Sequence, residues 1–287
     1  MKFDSHTPGA WRDLAVEAAR GWQRDGAPSM GAALAFYTLF SMAPLLLLAI
    51  SIAGIAIGTD SAREMLMTQL TSLMGEQGAG AVRSVLQAAN EHSEGVWSAI
   101  VSVVTLILGA TTVFAELRRD LDKIWRFEAP ATSGVWNFIR SRLLSVGMVA
   151  TIGFLLMVSL AVSAAVTAVG SMWAGGFPGS ALLLRAIEFT GSFVVITGLF
   201  AMIYKILPSV RIAWGDVWVG AAVTSLLFWI GKFLIGVYLG RSAIASPFGA
   251  AGTLVVVIVW VYYSAQIFFL GAEFTRAYAL RLGSLRV

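Results

Sequence analysis

The side chains best able to do chemistry in this sequence are the few ionisable and strongly polar groups at the edges of long apolar runs or inside them. Glu116, Arg118 and Arg119 follow one run, and Glu273 and Arg276 lie near the end of another. A charge at the margin of a lipid-crossing helix is costly unless paired. These five therefore form a candidate ion-pair network, and a gate or proton-coupled site is the alternative use of the same groups. Arg185 and Glu188 are three apart and can pair on one helix face. Lys232 stands alone in its run, with a stem long enough to snorkel to an interface. The second constellation is uncharged. Tyr37 and Ser41 share a helical face at four-residue spacing, and Pro44 follows in the same run. Proline has no N–H for the carbonyl of Phe40 and its ring clashes there, so a kink is predicted. Tyr262 and Gln266 repeat the four-residue spacing in another run. Tyr37, Ser41, Pro44, Tyr262 and Gln266 are the candidate cavity or gate residues, because broken helices at mid-depth mark transporter sites. The other reading is that hydroxyl groups beside Pro44 satisfy backbone groups freed by it.

Other chemistries lack their residues. There is no cysteine, which excludes disulfides, thiolate metal sites and cysteine nucleophiles. The two histidines, His6 and His92, lie in different polar segments and have no nucleophile–acid set beside them. No metal-ligand spacing, phosphate-binding loop or dinucleotide fingerprint is present. No cofactor or metal is expected, and the chain is not expected to be an enzyme.

The elements that must position the polar groups are apolar helices. Of 287 residues, 58% are hydrophobic and only 13% charged, too few charges to cover a soluble fold, so the outer surface is expected to face lipid. Six runs reach the roughly 20 residues a membrane-spanning helix needs: about 31–58, 96–115, 143–170, 181–207, 217–239 and 248–279. The runs are continuous rather than alternating, which favours helices over a barrel. The expected fold is an all-α integral membrane protein, a six-transmembrane-helix bundle. Residues 1–30 form an N-terminal segment in which Trp11, Leu14, Ala15, Ala18 and Trp22 share one face of an amphipathic helix. That helix either lies in the membrane interface or packs on the protein itself. The loop 59–95 carries Leu66, Leu70, Leu73 and Met74, then Val82, Val85, Leu86 and Ala89, at helical spacing. Gly75, Gly78 and Gly80 separate them, predicting two short helices in an outer loop. A charged inner loop covers 116–142, and 280–287 is a tail.

Basic residues set the expected orientation. With the N-terminus inside, only Arg63, Arg83, Arg185, Lys232 and Arg241 of the 20 Lys and Arg fall outside. Both termini are then cytoplasmic, and the net charge of +4 needs no nucleic-acid partner. The polar, Arg-containing start is not expected to be a cleavable signal. The lipid bilayer is the expected partner, with a lipid or small molecule as the candidate substrate.

Four ordered stretches carry a resemblance. GAALAFYTLFSMAPLLLLAI (Gly31–Ile50), AELRRDLDKIW (Ala115–Trp125), ILPSVRIAWGDVWVGAAV (Ile206–Val223) and FGAAGTLVVVIVWVYYSAQIFFLGAEF (Phe248–Phe274) resemble the YihY/BrkB family of bacterial inner-membrane proteins. In the last stretch Gly249, Gly252, Trp260, Tyr262, Gly271 and Glu273 match the family's signature. The resemblance implies six spans in a bacterial inner membrane. Members have been labelled virulence factors, transporters or permeases, and formerly a tRNA-processing ribonuclease (ribonuclease BN). It carries over no catalytic residues, and the nuclease label fits poorly with the residues present. A transporter, exporter or flippase for a lipid or envelope component is the expectation, with a structural or regulatory membrane subunit as the alternative.

Overall fold

The computed structural model describes residues 8–91, 112–127, 180–241 and 252–285. Every regular element among them is helical. In chain order these are α1 (Pro8–Arg24), α2 (Ala27–Ile57), α3 (Thr59–Glu91), α4 (112–124), α5 (Ser180–Ile206), α6 (Trp214–Arg241) and α7 (Gly252–Arg281). Three of these helices, α5, α6 and α7, are long and apolar enough to cross a membrane, and α2 becomes a fourth when its two halves count as one span. They coincide with four of the six expected spans. The expected span 143–170 and most of 96–115 lie outside the described residues.

The predicted bend is present. The halves Ala27–Ala43 and Leu45–Ile55 of α2 meet at 46°, and the break falls at position 44. A missing backbone donor there removes one rung of the helical ladder. The Ser41 hydroxyl donates to the carbonyls of Tyr37 (3.1 Å) and Thr38 (3.2 Å), tying itself to the turn just before the break.

Glycines make the two sharp corners at the far end of α2. Gly58 (φ 86°) ends α2, and Gly54 lets α3 begin close against it, 3.1 Å from where an added Cβ would meet Thr59 Cα. Gly75 (φ 75°, ψ 172°) interrupts α3, so the loop is two helices separated at the first of the three glycines named above. At the other end, Gly26 (φ 78°) forms the elbow between α1 and α2, with Pro28 in the first turn of α2.

Packing follows two apolar clusters. One surrounds Leu121, Ile124, Tyr204 and Phe269 and joins α2, α4, α5, α6 and α7. The other, around Ile50, Met67, Met74, Val82 and Val257, joins α2, α3, α6 and α7. These define a basic end, carrying α1 and α4, and an α3 end. On α1, Leu14 and Ala18 are buried against Phe274 and Ala277 of α7, while Arg12 and Arg20 are exposed. Trp11 stacks at 6.2 Å on Phe274 and stays 45% exposed.

Candidate functional site

The polar groups gather at the basic end. Glu116 and Arg119 of α4 form an ion pair of 2.5 Å, largely solvated on the arginine side. Such a pair adds little stability. Arg118 points elsewhere, donating to Ser209 Oγ at 3.1 Å and lying 3.9 Å from Asp122. Asp122 in turn accepts from the Ser209 backbone N–H (2.6 Å) and its hydroxyl (2.8 Å). The short segment between α5 and α6 is thereby clamped to α4 by charge-assisted bonds. A second clamp has the same chemistry. Asp216, in the first turn of α6, accepts from the backbone N–H (2.9 Å) and hydroxyl (2.6 Å) of Ser284, just past α7. Arg281 and Glu17 join α7 to α1 at 2.5 Å.

Asp120 of α4 is 7% exposed, and its Oδ2 has no donor. Burial, aided by the nearby Glu116 carboxylate, pushes its carboxyl up from 3.8 to about 6, with Arg119 and Lys123 opposing the rise.

Of the five charged candidates, Glu273 is the most enclosed. It is 2% exposed, lies against Gly21 of α1, and has Arg276 Nη1 at 3.9 Å from Oε2. Its carboxyl also neighbours Asp25 at the α1–α2 elbow. The five charged candidates therefore resolve into two sets. Glu116, Arg118 and Arg119 serve α4 and the 207–213 segment, and Glu273 with Arg276 serves the elbow. No ion pair links the sets among the described residues.

The uncharged candidates are spread along α2 and α7. Gln266 Nε2 contacts the Ala27 carbonyl at 3.4 Å, and its amide lies over Gly31, where a Cβ would overlap it. Gln266 Oε1 is buried without a donor. Tyr262, one turn away, is half-buried, as is Tyr37, and Ser41 is buried. Position 44 lies beyond Ser41 toward the α3 end. Lys232 of α6 donates to the Ser72 carbonyl at 2.8 Å, just before the Gly75 break, and lies 5.3 Å from the Trp229 ring centroid. The side chains of Arg185 and Glu188 lie outside the described residues.

Sequence reasoning missed a buried junction of α5, α6 and α7. Tyr204 donates to the Phe268 carbonyl at 2.7 Å and lies 3.1 Å from Thr224 Oγ1. It also missed Asp25, Gly21, Asp122 and Asp216. Each lies outside an apolar run or at its edge, where a lone polar residue has no visible partner; a four-residue Gly–Thr spacing in α6 and α7 was the available signal for the junction.

Comparison with known proteins points to a family of membrane proteins. A family model described as Virulence factor BrkB matches residues 18–286. A UPF0761 membrane protein of Pseudomonas aeruginosa is 26% identical over 252 residues, covering 86% of this chain and 58% of that protein. One from Albidiferax ferrireducens is 27% identical over 270 residues, 91% of this chain and 61% of its own. One from Alkalilimnicola ehrlichii is 28% identical over 275 residues, 93% and 58% respectively. The chain thus spans about three-fifths of the length of these curated relatives. No solved structure matches it. With apolar membrane-crossing helices in the fold and a match over nearly its whole length, the chain belongs to the Virulence factor BrkB family of membrane proteins.

Proposed function

We propose that this chain is a transport protein of the bacterial inner membrane, of permease, exporter or flippase type, acting on a lipid or envelope component. Its basic end and both termini face the cytoplasm, and it has six spans, 96–115 and 143–170 completing the four in the described helices. The observation that carries the reading is the 46° bend of α2. One half of that helix is held by polar contacts, Gln266 on Ala27 and Gly31, and by the elbow at Gly26. The other half leans on the apolar cluster of the α3 end, where Met67, Met74 and leucines offer no directional bonds. A span fixed at one end and bent at its middle can swing its free half, the motion that alternating access uses. The broken helix α3, tethered to α6 through Lys232 and Ser72, would cover the outer face.

The test is reconstitution of the full chain into vesicles with a fluorescent phospholipid in one leaflet and a membrane-impermeant quencher outside. Movement between leaflets faster than in empty vesicles is expected. A rate equal to empty vesicles, with and without a pH gradient, overturns the flippase reading.

A second reading, a regulatory or structural subunit, is favoured by the exposed side of α4 and the residues just after it. Arg119, Lys123, Arg126 and Phe127 together offer a basic and apolar surface to a protein partner. A photocrosslinker at Phe127 that traps no protein in cells would remove it.

A further inference from the structure

Glu273 and Asp25 each have one oxygen turned to an arginine and one that is not. Asp25 Oδ1 accepts from Arg24 Nε at 3.3 Å, and Glu273 Oε2 faces Arg276 Nη1 at 3.9 Å. Asp25 Oδ2 and Glu273 Oε1 are buried with no donor at all. Yet the Glu273 carboxyl rests on Gly21 of α1, and Asp25, whose N–H donates to the Gly21 carbonyl at 2.8 Å, stands one turn further on beside it, so the two carboxyl groups are neighbours. Ionised carboxylates only accept hydrogen bonds, so two of them face to face leave both oxygens unsatisfied in a place water does not reach. A single proton changes this, since one carboxylic O–H donates to the other carboxylate and both are satisfied. Like-charge carboxyls in contact take this form because they cannot both remain ionised cheaply.

We infer that Glu273 and Asp25 hold one proton between them, forming a proton-binding site at the elbow where α1 turns into α2.

The surroundings fit a proton better than a metal ion. Arg276 of α7 lies 3.9 Å from Glu273 and Arg24 lies 3.3 Å from Asp25 at the elbow, while the charge of Arg126, just after α4, acts on Arg276. Three guanidinium groups repel a metal cation, and no group of three or more metal-ligating side chains exists among the described residues. Gly21 closes the remaining side. A Cβ there would stand 2.7 Å from Glu273 Cδ, so the carboxyl rests on the α1 backbone.

Loss of the proton puts two buried negative charges in contact and pushes the elbow away from α7. Gly26, in the left-handed region, is the joint about which it turns, and α2 leads from it to the bend at 44. The site stands without the transport reading; only its use as an energy-coupling switch rests on that reading.

Infrared spectroscopy of the full chain in lipid nanodiscs tests the site through the carbonyl stretch of a protonated carboxyl. At neutral pH the unmodified chain should show this band, and both Glu273→Gln and Asp25→Asn should lose one protonated carboxyl. Absence of the band in the unmodified chain, its persistence in both variants, or its loss in only one overturns a shared proton. So does a band that responds to sodium at constant pH. If a variant does not fold, carboxyl carbon resonances of the unmodified chain decide. One Asp and one Glu resonance moving together for a single proton supports the site, and independent movement overturns it. A chain that binds this proton but moves no lipid keeps the site and loses the transporter.

Discussion

Thr275 of α7 lies directly on Gly220 of α6, and one turn further along the roles reverse, with Thr224 of α6 resting on Gly271 of α7. Each threonine hydroxyl also returns to the carbonyl four residues back, Thr224 to Gly220 and Thr275 to Gly271, both at 2.7 Å. The hydroxyls are thus satisfied within their own helices, while their bulk fills the partner's glycine notch. Antiparallel helices with small residues four apart can approach this closely without a hydrophobic drive between them. Tyr204 adds the third helix, its hydroxyl 2.6 Å from where a Gly271 Cβ would stand.

This interlock predicts a position-specific response to a single methyl. Gly220→Ala and Gly271→Ala should each destabilise the bundle by about 1–3 kcal/mol through overpacking. Gly198→Ala and Gly236→Ala, where an added Cβ meets nothing within 4 Å, should be neutral or slightly stabilising. Thermal unfolding in detergent distinguishes the pairs, and equal losses at all four positions would contradict the interlock.

The clamp of Asp122 on Ser209 predicts local loosening. Asp122→Ala removes two acceptor bonds and leaves Arg118 without its carboxylate. Charged hydrogen bonds of this kind are worth about 1.5–3 kcal/mol each. Proteolysis between α5 and α6 should speed up in this variant and much less in Ser209→Ala, which keeps the backbone bond.

Asp120 predicts a pH dependence. Its folded value of about 6 lies above the ordinary 3.8, so between these values the folded chain holds more protons than the unfolded one. Stability contributed by this group therefore falls as pH rises from about 4 to 6 and stays low above that. The full difference is on the order of 3 kcal/mol. Asp120→Asn should flatten this part of the stability profile and raise stability at pH 7. An unchanged slope between pH 4 and 6 would show that Asp120 does not carry it.

Replacing Pro44 by alanine should restore the backbone bond and straighten α2. The variant is expected to be more stable, by up to about 3 kcal/mol, and to move lipid at least several-fold more slowly in the vesicle assay. Unchanged transport with a straightened helix would separate the bend from function.

The chain has no cysteine, so single-cysteine variants report sidedness without background. Gln23→Cys on α1 and Ser61→Cys on α3 are both at exposed positions. An impermeant thiol reagent applied to intact spheroplasts should label the second and not the first. The reverse pattern would invert the proposed orientation.

Much of the fold was legible because it rests on local chemistry. Apolar length located α2, α5, α6 and α7 to within a few residues, since a helix must satisfy its own backbone wherever water is absent. Pro44 announced the bend, and the glycines at 75–80 announced the break in α3, because both residue types act on the backbone they belong to. The candidate site was legible only in part. Glu273 and Arg276 are close in sequence and do meet, as do Glu116 and Arg119. The spacing of Trp11, Leu14, Ala18 and Trp22 left open whether their face meets lipid or protein. Leu14 and Ala18 are buried on α7, a contact between residues some 260 apart in the chain.

By itself, then, the sequence determined which segments are apolar helices, where they bend or break, and at which end the charges collect. These follow from residue type and spacing, and act over one or two helical turns. Tertiary structure alone decided which groups meet across helices: Glu273 with Asp25 over Gly21, Asp122 with Ser209, Thr275 on Gly220. Such contacts depend on helix rotation and depth, and packing energy summed over whole helix faces sets both. A lone aspartate before a glycine has no visible partner in the sequence until α7 is laid against the elbow.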